Sequence, residues 1–158
     1  MPPAFKRVAL IGKQTPEIAQ SLRALRDFLR QRGCEVMLER ETAAGVGEDG
    51  VLAGFDDIGR SADLAIVVGG DGTMLAAARN LAHRSVPLVG INLGRLGFMT
   101  DIALQDMGQS VGAILEGRHT IEERALIEAE ILRGAQSVLR TVALNEAVVT
   151  KGSQARLI

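Results

Sequence analysis

"DLAIVVGGDGTMLAAARN", residues 63–80, passes from an unbroken apolar stretch through glycines and a single aspartate into a helical pattern. The run "LAIVV" has no polar interruption, as expected of a strand covered on both faces in a parallel sheet. Past the turn, Met74, Leu75, Ala78, Leu81 and Ala82 fall on one helical face, while Arg79, Asn80, His83 and Arg84 fall elsewhere. A strand that turns straight into a helix is half of a βαβ unit, so the neighbouring segments decide whether the pattern repeats.

It does repeat. Upstream, "RVALIG" reads as a strand, and Thr15-Pro16-Glu17 supplies an N-cap, a first-turn proline and an acid for the helix that follows. Ile18, Leu22, Leu25 and Leu29 recur with helical spacing, and Gly33 stands just past the end. "CEVMLE" is a second strand, "DLAIVVGG" a third and "VPLVGIN" a fourth. The glycine- and acid-rich stretch at 41–59 reads as loop with a short helical piece near 51–58, and "LGRLGF" as a glycine-punctuated loop. This alternation predicts an α/β fold, a Rossmann-like doubly wound parallel sheet closing near Ile102. Residues 103–158 then supply a linking helix over 104–115 and the first strands of a β-rich second domain. "LIEAEIL" is compatible with helix on propensity, but with Gly134 and "SVLRTVALNEAVVT" the period-2 alternation favours an antiparallel hairpin. That hairpin looks cut short, which predicts an uncovered apolar face and self-association into a homo-oligomer.

Composition narrows the partners. The chain has 158 residues, 47% of them hydrophobic, with a net charge of −1, so it lacks the basic excess of a nucleic-acid binder. No run is long enough for a membrane span or signal peptide, and a lone Cys34 makes no internal disulfide, so a cytoplasmic setting is expected. His83 and His119, far apart, offer no zinc spacing and read as surface residues, while Cys34 reads as a small buried one. Arg23, Arg26 and Arg30 share a helical face and read as solvated.

The chemistry concentrates in the turn. Gly69, Gly70, Gly72 and Thr73 lie at the carboxyl end of a strand and the amino end of a helix, where phosphate is favoured by bare N–H groups and the helix dipole. Glycine there allows close approach or an unusual φ. Asp71 is out of place in an anion site, so it serves a magnesium ion, a hydroxyl or a local cap. The turn is no Walker loop, since no Gly-Lys-Ser/Thr follows, and Leu75 stands where a dinucleotide fingerprint needs its last glycine. Lys13 is open to two readings, phosphate contact or plain loop lysine, and Met74 to adenine cover or core.

"GGDGT", with "LVGINLGRLGFMTDI" at 88–102 and "ALNEAVVTKGSQARLI" at 143–158, resembles the NAD kinase family, whose "GGDGT" is shared with diacylglycerol-type lipid kinases. The resemblance implies transfer of a phosphoryl group from ATP or polyphosphate, with Mg²⁺, to the 2′-hydroxyl of the adenosine ribose of NAD. It implies that Asp71 accepts the hydroxyl proton, that Gly72 lies against the substrate, that Asn145 and Glu146 bind the ribose, and that Arg156 contacts the substrate. A nucleotide-binding module without turnover and a lipid kinase remain the alternative readings. On an ideal strand Asn145 and Glu146 point to opposite faces, so a strand end or bulge is expected there.

Overall fold

The computed structural model describes residues 2–47, 50–94 and 97–149, in two compact units, Met1–Ile121 and Glu122–Ile158. In the first, the chain runs β1 (Arg7–Gly12), α1 (Pro16–Gln31), β2 (Glu35–Glu39), α2 (Arg40–Val46), β3 (Val51–Ala53), α3 (Phe55–Ser61), β4 (Leu64–Val68), α4 (Asp71–Asn80), β5 (Leu88–Asn92), β6 (Ile102–Ala103) and α5 (Met107–Leu115). The strands pair in parallel in the order β3-β2-β1-β4-β5-β6, the doubly wound sheet expected from the alternating pattern.

Period-2 alternation along the central strands divides the core. Val8, Leu10, Leu64, Ile66 and Val68 face a cluster holding Leu22, Leu25 and Leu29 of α1, Ala43 and Val46 of α2, and Val111 and Leu115 of α5. Ala9, Ile11, Ala65 and Val67 face the opposite cluster, with Ile58 of α3 and Met74, Ala77 and Leu81 around α4. Met74 is therefore core, and on α4 it is Ala77, more than the half-buried Leu75, that packs inward. The start of α1 is as its sequence dictates: the Thr15 hydroxyl accepts from the Ile18 N–H at 3.4 Å and Pro16 fills the first turn. Arg26, expected on a solvated face, is instead buried and paired with Asp27 at 3.0 Å; its long stem continues the apolar stripe of α1.

Two expectations change. The short helical piece expected near 51–58 is present as α3, but the described residues of 41–59 also hold α2 and β3 where loop was expected. Glu39 caps α2 with both carboxylate oxygens, accepting the Glu41 N–H at 3.0 Å and the Thr42 N–H at 2.9 Å, and β3 adds only three residues to the sheet edge. Neither segment is long enough to display a period. The first unit also does not close at Ile102. It continues to Ile121, because β6 pairs with β5, α5 buries Val111 and Leu115 in the main core, and the Ala4 N–H donates to the Leu115 carbonyl at 2.8 Å.

The second unit is a hairpin of β7 (Ile127–Arg133) and β8 (Gln136–Ala143), turning at Gly134 with φ +62°. Strand wins over helix for Ile127–Arg133, as the alternation favoured. Its large apolar side chains, Ile131, Leu132, Val138 and Leu139 among them, are exposed.

Leu115→Ala is expected to lower the stability of the sheet unit by about 2–5 kcal/mol in urea denaturation, as deletion of a buried leucine does. A change below about 0.5 kcal/mol would place α5 outside the cooperative core.

Candidate functional site

The chain leaves β1 towards β2 and leaves β4 towards β5, with the following helices on opposite faces of the sheet. Between the carboxyl ends of β1 and β4 a crevice therefore opens, the place where ligands settle in such sheets. Gly12 pairs with Val68 at this point, and the Gly69 N–H donates to the Ile91 carbonyl at 2.9 Å before the chain turns into α4. Lys13 is exposed just past β1.

The glycines of the turn differ in their reasons. None of Gly69, Gly70 and Gly72 has a positive φ, so turn geometry does not demand them. A Cβ on Gly69 would stand 2.7 Å from the Thr73 hydroxyl oxygen, so packing against Thr73 accounts for it. Gly70, the N-cap of α4, is extended at φ −96° and ψ −175°, and a Cβ there or on Gly72 would meet nothing within 4 Å. Their bareness serves nothing within the described fold. What it does is leave the first-turn N–H groups of α4 uncovered for whatever approaches from outside.

Asp71 does not cap its helix. It occupies the first helical position, and its carboxylate reaches across to the loop after β5. Oδ2 accepts the Phe98 N–H at 2.9 Å, and Oδ1 accepts the Met99 N–H at 2.9 Å and the Thr100 hydroxyl at 3.3 Å. These donors, Met99 and Phe98 foremost, hold the Asp71 carboxyl below the usual aspartate range. The lowering thus comes from the loop after β5. Two further glycines make this approach possible. A Cβ on Gly97 would lie 2.2 Å from Asp71 Oδ1, and one on Gly90 would lie 2.7 Å from Thr100 Cγ2. Thr100 is wholly buried and takes the Asn92 side-chain N–H at 2.8 Å.

Gly69, Gly70, Asp71, Gly72 and Thr73 are thus brought together on one turn. Asn145 and Glu146 belong to the second unit, both exposed, and β8 ends at Ala143, so neither sits in the ladder, in keeping with the expected strand end. Arg156 lies outside the described residues. Sequence reasoning missed Asn92, Gly97 and Thr100 as individual residues, although all lie in the stretch at 88–102. The available signal was a polar residue closing an apolar strand, "VGIN", and a threonine flanked by methionine and aspartate. Cys34 is buried as expected, and burial pushes its thiol up. His83 and His119 are exposed as expected. Among the described residues no three His, Cys, Asp or Glu side chains group to hold a metal, and the Asp71 carboxylate is engaged by Phe98, Met99 and Thr100. No helix among the described residues is long and apolar enough to cross a membrane.

The family model of the ATP-NAD kinase N-terminal domain matches residues 8–119. The NAD kinase of Aromatoleum aromaticum is 50% identical over 157 residues, covering 98% of this chain and 52% of that protein. The NAD kinase of Bordetella pertussis is 46% identical over 156 residues, covering 98% and 52%. The chain thus spans about half the length of the curated relatives it matches. Among solved structures, yeast NADH kinase complexed with NADH has the same fold at a TM-score of 0.78 and 20% identity, over 90% of this chain and 47% of that one. The NAD kinase from Archaeoglobus fulgidus in complex with ATP aligns at a TM-score of 0.52 and 21% identity, over 78% and 40%.

The clamp on Asp71 predicts a contrast between two alanine substitutions. Gly97→Ala pushes the carboxylate off its donors and raises the Asp71 pKa towards the ordinary aspartate range, whereas Gly72→Ala leaves it low. Because the folded value is depressed, the clamp stabilises the protein above about pH 4 and loses its effect as pH falls through the lowered value. Carboxyl NMR titration checks this; equal Asp71 titrations in the two variants would contradict it.

Proposed function

The chain belongs to the NAD kinase family, and from that premise we propose that it carries the acceptor side of a phosphoryl transfer from ATP or polyphosphate to the 2′-hydroxyl of the adenosine ribose of NAD, giving NADP. The observation that supports this most is an aspartate held ionised at the sheet's switch point, beside glycines whose missing side chains the fold itself does not require. Phosphoryl transfer asks the protein for positioning and charge stabilisation more than for covalent chemistry.

Asp71 supplies the positioning. Among the described residues Oδ2 accepts one N–H, which leaves a lone pair for a hydroxyl proton, while Oδ1 is taken by Met99 and Thr100. A carboxylate with a lowered pKa is a weak base, so it orients the ribose hydroxyl first and receives the proton late. The 2′-oxygen forms its bond to the terminal phosphorus as the bond from that phosphorus to the leaving phosphate oxygen breaks. Gly69, Gly70, Gly72 and Thr73 form the phosphate-binding loop at the start of α4. In this reading Asn145 and Glu146 bind the adenosine ribose and Arg156 contacts the substrate. In this reading the divalent cation enters as part of the donor, as magnesium nucleotide.

The same reading makes the protein a cytoplasmic homo-oligomer built from an α/β domain and a β-rich domain, with the exposed apolar face of the hairpin favouring association. A nucleotide-binding module without turnover is the second reading, and formation of NADP tells the two apart. A lipid kinase is disfavoured by identities of 44–50% to proteins named NAD kinase.

In full-length protein supplied with NAD, ATP and Mg²⁺, NADP is the expected product. Asp71→Asn is expected to lower kcat by about a hundredfold or more while the fold persists. Gly72→Val, whose side chain enters open space, is expected to weaken nucleotide binding without loss of thermal stability. Undiminished turnover by Asp71→Asn would remove the proposed role of Asp71.

A further inference from the structure

The hydrogen bonds behind Asp71 form a chain whose direction is fixed at the end of β5. The Gly94 N–H donates to Asn92 Oδ1 at 2.9 Å, which determines which end of the Asn92 amide faces the other way. Asn92 Nδ2 therefore donates to Thr100 Oγ1 at 2.8 Å. Having accepted that bond, the Thr100 hydroxyl spends its single proton on Asp71 Oδ1 at 3.3 Å. Both intermediates are buried, Thr100 completely and Asn92 to 8% exposure, so water does not scramble the order. Thr100 is β-branched, and Gly90 leaves space for its methyl group, so its rotamer is held.

We infer that Thr100, oriented by Asn92, is a positioning residue for Asp71: it occupies Oδ1 and so leaves Oδ2 as the oxygen that meets the acceptor hydroxyl. The role as it bears on turnover rests on the kinase reading above. A merely structural threonine would need no defined proton direction, whereas here each donor in the series points towards the carboxylate. Among the described residues the groups that lower the Asp71 carboxyl are neutral donors, the N–H groups of Met99, Phe98 and Thr100 and the Thr100 hydroxyl. Asp101, the next residue of the loop, is exposed. At 3.3 Å the hydroxyl bond is longer than the two N–H bonds at 2.9 Å, so its removal weakens the clamp without releasing it.

The test compares Thr100→Val, which keeps shape and deletes the hydroxyl, with Thr100→Ser, which keeps the hydroxyl. In full-length protein, Thr100→Val is expected to lower kcat by about five- to tenfold with KM for NAD within about twofold. The acid limb of kcat moves up by about half a pH unit, because the ionised form has lost a donor. Thr100→Ser restores both. Asn92→Asp provides a second arm should Thr100→Val fold poorly: an ionised aspartate cannot donate to Thr100, whose hydroxyl then turns to it, and kcat falls although Thr100 is intact. Carboxyl NMR of Asp71, which needs no turnover, is expected to show a raised pKa in Thr100→Val and a near wild-type value in Thr100→Ser. Wild-type kcat in both Thr100→Val and Asn92→Asp, or a Thr100→Ser variant as impaired as Thr100→Val, overturns the inference. A raised Asp71 pKa in a protein that makes no NADP would uphold the positioning of Asp71 and overturn the kinase reading instead.

Discussion

The carboxylate of Asp71 ties the first turn of α4 to the loop that follows β5, and much of the local sequence is arranged around that tie. In the proposed function, a charge placed among glycines that admit phosphate would repel that ligand, unless the protein held it to one side and gave it another task. Backbone N–H groups of Phe98 and Met99 do the holding. Among the described residues the groups that keep it ionised are neutral donors, which fix the acceptor without adding a counter-charge. The cost falls on the loop, where Gly97 and Gly90 are confined to having no side chain at all.

The fold supplies the rest of the geometry. With strand order β3-β2-β1-β4-β5-β6 and helices on both faces, the ends of β1 and β4 diverge, and the turn after β4 is the one that opens on the crevice. The glycines of that turn then divide by role. Gly69 answers to Thr73, a neighbour within the protein, while Gly70 and Gly72 face open space. Within one turn, a glycine fixed by its neighbour and two that face open space stand side by side, and only the arrangement of atoms separates them.

The doubly wound sheet was legible because its long elements obey strong rules. "LAIVV" has no polar gap, and Ile18, Leu22, Leu25 and Leu29 mark α1 at helical spacing between a proline start and a glycine stop. The short elements were not legible. α2 depends on a cap from Glu39, a residue that reads as the end of a strand, and β3 and β6 are too short to carry a period. The domain end was read too early because α5 looks like a linker until Val111 and Leu115 are seen packed in the main core. Asp71 was legible as the acid of the loop, but its tie to the loop after β5 was not. That contact joins residues some 27 to 29 apart in the chain, and no local pattern encodes it.

The central claim is that the Asp71 carboxylate meets the 2′-hydroxyl of the adenosine ribose. The carboxyl carbon of Asp71, followed by NMR in the full-length protein, reports on it directly. The account predicts that its resonance moves when NAD binds and stays in place when NAD lacking that single hydroxyl binds at the same occupancy. An equal displacement by both ligands would contradict it.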